Sequence, residues 1–238
     1  MLVSWLGNGD PVLNFLAHAR PYLGSPHFVA GTAVPDWLAF GDPKLRLAHG
    51  HPLQAAPDAG PATTELIAGV RRHLADDHAF HASAAFERVS GAITADLRHH
   101  CRDAGPRFRA NFLGHLLTEL LLDAALTRSE PDLPDRYYRA LAAVDPDWVE
   151  RAVRPYLVRP GDLAGRMRAF QRARFLLDYG DDHALWVRVG QVAKRIGLPP
   201  PPAEIVRRLP QYREQVAAAA GDLLANVEQG RANDESIS

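Results

Sequence analysis

The stretch ANFLGHLLTELLLDAALT, residues 110–127, decides the fold class. Between its ends, Ala110 and Thr127, it contains no Lys or Arg, and its polar residues are Asn111, His115, Thr118, Glu119 and Asp123. All but Thr118 recur at every fourth position, the spacing that stacks side chains along one face of an α-helix. A helix over 107–128 follows, apolar around most of its circumference and therefore buried on most sides. Its polar row has two readings: a wet stripe on an otherwise buried helix, or a row of ligands.

Outward from this segment, Ala, Leu, Arg and Glu keep recurring three and four residues apart, and alternating strand-like runs are almost absent. The expected fold is all-α, a compact multi-helix bundle with a central metal site and a C-terminal helical extension. Helices are predicted near 11–20, 27–40, 62–82, 84–103, 107–128, 134–144, 146–157, 162–178, 182–196 and 202–228. Two starts are marked by an acid before proline, Asp10-Pro11 and Asp145-Pro146, because the acid caps free amides and proline suits the first turn. The segment 41–61, rich in Pro, Gly, Asp and His, reads as a long irregular loop. Pro199 to Pro202 form a stiff connector to a last amphipathic helix, which Pro210 interrupts. The domain reading is a helical metal-binding unit over 1–198, a proline-led helix over 199–229 packed on it, and a disordered tail over 230–238.

Bulk properties narrow the function. The 27 Lys and Arg against 28 Asp and Glu leave no global field for nucleic acid or an anionic membrane. Cys101 stands alone, so neither an internal disulfide nor a thiolate zinc site is available. With no leader-like start and no long uncharged apolar run, Phe112 to Leu126 being too short to span a bilayer, a cytoplasmic protein is expected. At 238 residues the chain is long enough to bury a full core.

A second helix carries polar groups on its apolar side. Over 62–82, Leu66, Ile67, Val70 and Leu74 share one arc, and His73, Asp77 and His81 fall within or beside it. Arg71, Arg72 and His78 turn away from it. Unpaired carboxylates on a buried arc would cost several kcal/mol or lose their charge, so they need a partner. Imidazole and carboxylate four residues apart can reach one ion together, and two helices presenting such pairs can build a metal site inside a bundle. His73/Asp77 and His115/Glu119 are the pairs, with His81 beside them. His18 and Asp36, the latter just after a helix-breaking Pro35, complete the set or act on bound water. His49 and His51 read as solvated, and His99 and His100 as complements to a helix C-terminus.

The runs Asn14-Phe15-Leu16-Ala17-His18 and Ala33-Val34-Pro35-Asp36, followed by Gly69 to His73 with Asp77, resemble the opening of the acyl carrier protein phosphodiesterases. These are relatives of the HD-type metal phosphohydrolases, and the similarity spans roughly residues 12 to 126. The resemblance implies an all-helical, manganese-requiring enzyme that releases phosphopantetheine from its carrier. It maps His18, Asp36, Gly69, His73 and Asp77 onto the family's motif and Arg107 onto its arginine. His81 and Ser83 stand where the family has Asp and His, and His115, Glu119 and Leu120 where it has two acids and a His. The His/acid spacings are also similar to those of zinc-dependent phospholipase C.

The expected function is thus a metal-dependent phosphodiesterase-like hydrolase using one or two ions of manganese, zinc or iron. His18, Asp36, His73, Asp77, His81, His115 and Glu119 form the metal set; Asp36 bridges or orients water, and Arg107 or Arg109 meets the phosphate. The substrate would be a phosphate ester, carried on a protein if the resemblance holds. Two alternatives remain: a di-iron-type oxidase in the same cage, and a non-catalytic binding protein using Trp5, Trp37, Trp148 and Trp186 as core or contact residues.

Overall fold

The computed structural model describes residues 14–39, 45–48, 53–102, 104–105 and 107–235. Asp10-Pro11, Trp5, His49 and His51 lie outside them. Eleven α-helices are seen among the described residues: α1 Phe15–Ala19, α2 Pro26–Ala39, α3 Pro61–His81, α4 Ala84–His100, α5 Ala110–Ser129, α6 Leu133–Ala142, α7 Pro146–Val153, α8 Leu163–Ala173, α9 Asp182–Arg195, α10 Leu209–Ala218 and α11 Ala220–Glu235. Short 3₁₀ turns link several of them, and the sole β-type pairing among those residues is one bridge between Leu47 and Leu157.

α5, without Lys or Arg until Arg128 in its last turn, lies in the middle of the bundle, with Leu113, Leu116, Leu117, Leu120, Leu121, Leu122 and Leu126 all buried. Gly114 lets α4 approach it closely: a Cβ there would meet the Thr94 hydroxyl at 2.2 Å and the Ser90 carbonyl at 2.9 Å. The tightest crossing joins α2 and α3. A Cβ on Gly31 would sit 2.1 Å from the Leu66 carbonyl, and one on Gly69 2.2 Å from the Phe28 carbonyl. Backbone meets backbone there, and only glycine at both positions permits it.

That crossing sets the rotation of α3. Leu66, Ile67 and Val70 are buried as expected, but Leu74 is 40% exposed. The buried face instead continues through Gly69, His73, Asp76 and Phe80, because the face pressed against α2 follows the glycine contact. Pro35 is likewise not a breaker. It lies inside α2, and the helix runs on through buried Trp37 and Leu38, whose burial offsets the lost backbone bond. Arg166 of α8 donates to the Trp37 and Leu38 carbonyls at 3.1 and 2.9 Å, satisfying the C-terminal end of α2.

Asp145 caps α7 as expected, its side chain accepting from Asp147 N at 2.9 Å. The single helix expected over 162–178 is broken at Arg174, whose φ of 43° is left-handed. The Arg174 side chain pairs with Asp135 and lies over the Tyr138 ring, and the chain restarts as a 3₁₀ turn over Phe175–Gly180. The last helix is also divided. A 3₁₀ turn over Ala203–Arg208 precedes α10, Pro210 occupies the first turn of α10 where its missing N–H costs nothing, and Ala219 separates α10 from α11. α11 continues to Glu235, past Gly230 where a disordered tail is expected.

One contiguous core runs from Phe15 to Val227, so residues 130–229 extend the bundle. No helix among the described residues is long and apolar enough to cross a membrane. The C-terminal helices are fastened at Asp96 of α4. It accepts from Arg208 at 2.6 and 3.0 Å and from the Tyr212 hydroxyl at 2.5 Å. Partial burial works to raise the Asp96 pKa, but the bonds from Arg208 and Tyr212 and the Arg208 charge outweigh it and hold the carboxyl below its ordinary value.

Asp96→Asn is accordingly expected to cost about 2 kcal/mol near neutral pH, as charge-assisted hydrogen bonds do. A depressed folded-state pKa stabilises above the unfolded value of roughly 4 and ceases to do so as pH falls through the folded one. Urea melts of the two proteins should therefore differ at pH 7 and converge in acid. A constant gap across pH would assign the loss to packing.

Candidate metal centre

Four helices bring the predicted residues together. α3 carries His73, Asp76, Asp77 and His81 on successive turns, and α5 carries His115, Glu119 and Asp123. α1 and α2 contribute His18 and Asp36. The Gly31/Gly69 crossing fixes the relation of α2 to α3, because His73 lies one turn beyond Gly69 and Asp36 little more than one turn beyond Gly31.

The position of α1 is set from α5. Asp123, fully buried, accepts from Leu16 N and Ala17 N at 3.0 Å each. A carboxylate thus satisfies the free amides that begin the short helix bearing His18. At the far end of α3, Ser83 accepts from Phe86 N at 3.1 Å and donates to the Phe80 carbonyl at 2.7 Å. This turn ends α3 directly after His81 and starts α4. Ser83 is therefore a cap, remote in chemistry from the histidine that the resembled motif has there.

The polar row of α5 runs inward. Asn111 is exposed and accepts from Arg98. His115 is half-buried, and Glu119 and Asp123 have no exposure. The wet-stripe reading fails for this inner half. Glu119 Oε1 lies 2.8 Å from His115 Nε2 and 2.9 Å from His81 Nε2, and the two rings stack at 4.6 Å. Phe86 meets both imidazoles edge-on at 4.8 and 4.9 Å and holds their planes. Behind His81, Asp77 Oδ1 lies 3.1 Å from Nδ1.

His81, His115 and Glu119 form a group whose ligand atoms all lie within 4.8 Å of one another. Two imidazole nitrogens and a carboxylate oxygen are a donor set suited to a divalent transition metal. His81 and His115 are 23% and 29% exposed, so the group is open to solvent on one side while Glu119 anchors it inside.

Deeper in the bundle, His18 and His73 are both buried, with ring centroids 4.2 Å apart. Neither His18 nitrogen has a hydrogen-bond partner, and Asp76 Oδ2, at 3.7 Å from Nδ1, is too far to serve. His73 is bonded to the Thr32 backbone, while its Nδ1 is unpartnered. Asp36 Oδ2 is also unpartnered. Buried polar atoms are nearly always satisfied, so orphans on three neighbouring donor residues make this place a candidate site.

Electrostatics point the same way. Burial, followed by the charges of Asp77, Glu119 and Asp123, pushes the Asp36 carboxyl well above the usual carboxylate range. Burial and then the neighbouring His18 lower His73 to about 3, against the opposing pull of Asp77. Burial opposes a charge on His81, but its contacts with Asp77 and Glu119 prevail and raise it to about 10. The protein by itself therefore has to protonate an acid, discharge one imidazole and charge another. A cation placed among these groups would relieve the acids' mutual repulsion.

Every predicted metal residue is in or beside this cluster, but Arg107 is not. Its guanidinium donates to the Gly197 carbonyl at 2.7 Å and ties the segment before α5 to the chain between α9 and the proline connector. Arg109 borders the same small surface hollow. Two residues outside the predicted metal set contribute: Asp76, buried between His18 and Arg72, and Asp123, which caps α1. The four-residue spacing from Glu119 marks Asp123 in the sequence, and Asp76 is marked by its position three residues after His73.

Comparison of the chain with protein-family models, curated proteins and solved structures finds no match.

Proposed function

We propose that this protein is a metal-dependent phosphoester hydrolase. The observation that carries the proposal is the convergence of two imidazoles on the buried Glu119 carboxylate, next to unpartnered donor atoms of His18, Asp36 and His73. His81, His115 and Glu119 would hold an ion at the solvent-facing edge. His18, Asp36, His73 and Asp77 offer the donors for a second position further in.

A divalent ion so held would supply Lewis acidity toward phosphate oxygens and lower the pKa of a bound water. The chain's own residues account for the rest. Thr32 fixes the His73 ring through its backbone, leaving Nδ1 free to ligate, the usual arrangement behind a metal-bound histidine. Asp77 does the same for His81. Asp36 would take or hold the proton of an attacking water, and the half-buried imidazoles would leave one side open for an ester to enter.

The resemblance to carrier-protein phosphodiesterases supports a diester and suits a substrate carried on a protein. The departures at His81 and His115 add nitrogen ligands, which favours zinc or iron over manganese. The helical cage also suits a di-iron oxidase, and the test separates the two.

The test is elemental analysis of purified protein together with hydrolysis of bis(4-nitrophenyl) phosphate. We expect bound divalent metal, turnover that chelation abolishes and zinc or manganese restores, and loss of both metal and turnover in His115→Ala. Iron with a visible oxo absorption and no phosphodiester cleavage would replace hydrolysis by oxidation. Equal metal in the wild type and His115→Ala would remove the ligand assignment itself.

A further inference from the structure

A cavity of about 320 Å³ opens between α2, α5, α8 and α9, on a different face of α5 from the His/Glu row. Its size falls within the range of small-molecule sites, roughly 300 to 1,000 Å³. Trp37, Leu120, Phe170, Phe175, Tyr179 and Val192 form its apolar walls. Ala169, Ala173, Gln191 and Arg195 lie at its exposed edge, which makes that side its mouth.

The charge on this cavity is one-sided. Arg166, Arg188 and Arg195 border it and no acid does. Asp178, which bonds Arg188 at 2.8 Å, and Asp162, whose charge reaches Arg166, are not among its lining residues. Arg166 is fixed on the Trp37 and Leu38 carbonyls, and Arg188 on Asp178 and Gln191 with its guanidinium 5.9 Å from the centre of the Phe175 ring. Guanidinium groups positioned beside aromatic walls suit a ligand with an apolar body and an anionic head.

The wall also contains an unfinished hydrogen bond. The Trp37 indole is 1% exposed and its Nε1 has no acceptor. A packed core closes voids and pairs its donors. This region does neither, although Phe15, Tyr137, Tyr138 and Phe170 just beneath it are tightly clustered.

We propose that this cavity binds an organic anion with an apolar body, its chain or ring among Trp37, Phe170, Phe175 and Tyr179 and its carboxylate or phosphate head at the arginine rim. Its occupancy does not depend on the hydrolase reading.

The test uses the full chain, with and without chelator, titrated calorimetrically with decanoate, decyl phosphate and decan-1-ol. One anion per chain is expected to bind, with the alcohol weaker by roughly tenfold or more, the difference that a charge-assisted contact supplies. Ala173→Trp fills the mouth from an exposed position and should abolish binding while leaving the far-UV circular dichroism and the melting temperature unchanged. Arg195→Gln, also at an exposed position, should weaken both anions but not the alcohol. The ratio of decanoate to decyl phosphate affinity identifies the preferred head. Equal affinity for alcohol and anions, undiminished binding by a folded Ala173→Trp, or no binding at millimolar ligand would each overturn the proposal.

Discussion

Glu119→Gln is expected to strip the protein of metal while leaving its packing intact. The side chain has no exposure, and glutamine fills nearly the same volume, so the core around Leu116, Leu120 and Leu122 has no reason to move. The chemistry changes completely. Both His81 Nε2 and His115 Nε2 address the single oxygen Glu119 Oε1, and an amide supplies neither the charge nor the second lone-pair-rich oxygen of a carboxylate. Affinity for zinc or manganese should fall by well over the roughly hundredfold that loss of a mere supporting residue costs. Phosphodiester hydrolysis should fall with it.

The same substitution has a signature in metal-free protein. The His81 pKa is raised in the folded state to about 10, above the ordinary imidazole value of roughly 6.5. A group shifted upward stabilises the fold fully below its unfolded pKa and loses that contribution as pH rises through the folded one. Chelated wild-type protein should thus lose stability between about pH 6.5 and 10, and Glu119→Gln, with one of the two contacts to His81 weakened, should lose less over that window. Melting temperatures at several pH values in chelator measure this. Identical profiles would mean that Glu119 does not carry the imidazolium, and unchanged metal content would remove it from the site.

The amino-acid sequence is most informative where one helix carries the whole signal. The absence of Lys and Arg from 110–127 is enough to bury α5, and the four-residue spacing is enough to bring His115 to Glu119. His73, Asp77 and His81 are legible for the same reason. Side chains whose roles depend on a second, distant element are not. Asp123 caps amides more than 100 residues away in sequence, which no periodicity encodes. Asp76 and Leu74 exchange places relative to a wheel centred on the apolar residues, because the α2 backbone docks at Gly69 and turns α3 with it. Pro35 has the local chemistry of a helix end, yet burial of Trp37 and Leu38 carries α2 through it. Arg107 rests on motif position alone, and its guanidinium is spent on the Gly197 carbonyl beyond α9. The arginine-rimmed cavity is assembled from four helices and the 3₁₀ turn over Phe175–Gly180, so no single segment announces it.

Gly69→Ala should produce, with Gly31→Ala, the largest loss of stability of any glycine-to-alanine change among the described residues. Alanine is the better helix former by about 1 kcal/mol, so propensity alone predicts a gain. The geometry reverses the sign. The added Cβ would stand 2.2 Å from the Phe28 carbonyl oxygen and 3.0 Å from the Gly31 Cα, both backbone atoms that cannot rotate aside. α2 and α3 would have to part, opening the packing of Val29, Ala30, Ala33, Leu66 and Val70. Overpacking of this kind costs about 3 kcal/mol or more, a large share of the 5–15 kcal/mol that holds a typical domain. Gly91 is the control: it is an exposed glycine within α4 with nothing near its would-be Cβ, and Gly91→Ala should stabilise by up to about 1 kcal/mol. Because His73 and Asp36 lie just beyond the two glycines, parting the helices also separates donors of the inner site. Folded Gly69→Ala, assayed below its urea midpoint, should therefore bind metal more weakly than Gly91→Ala does. If the two variants were equally stable, the close approach of α2 and α3 would not be the joint on which the site is built.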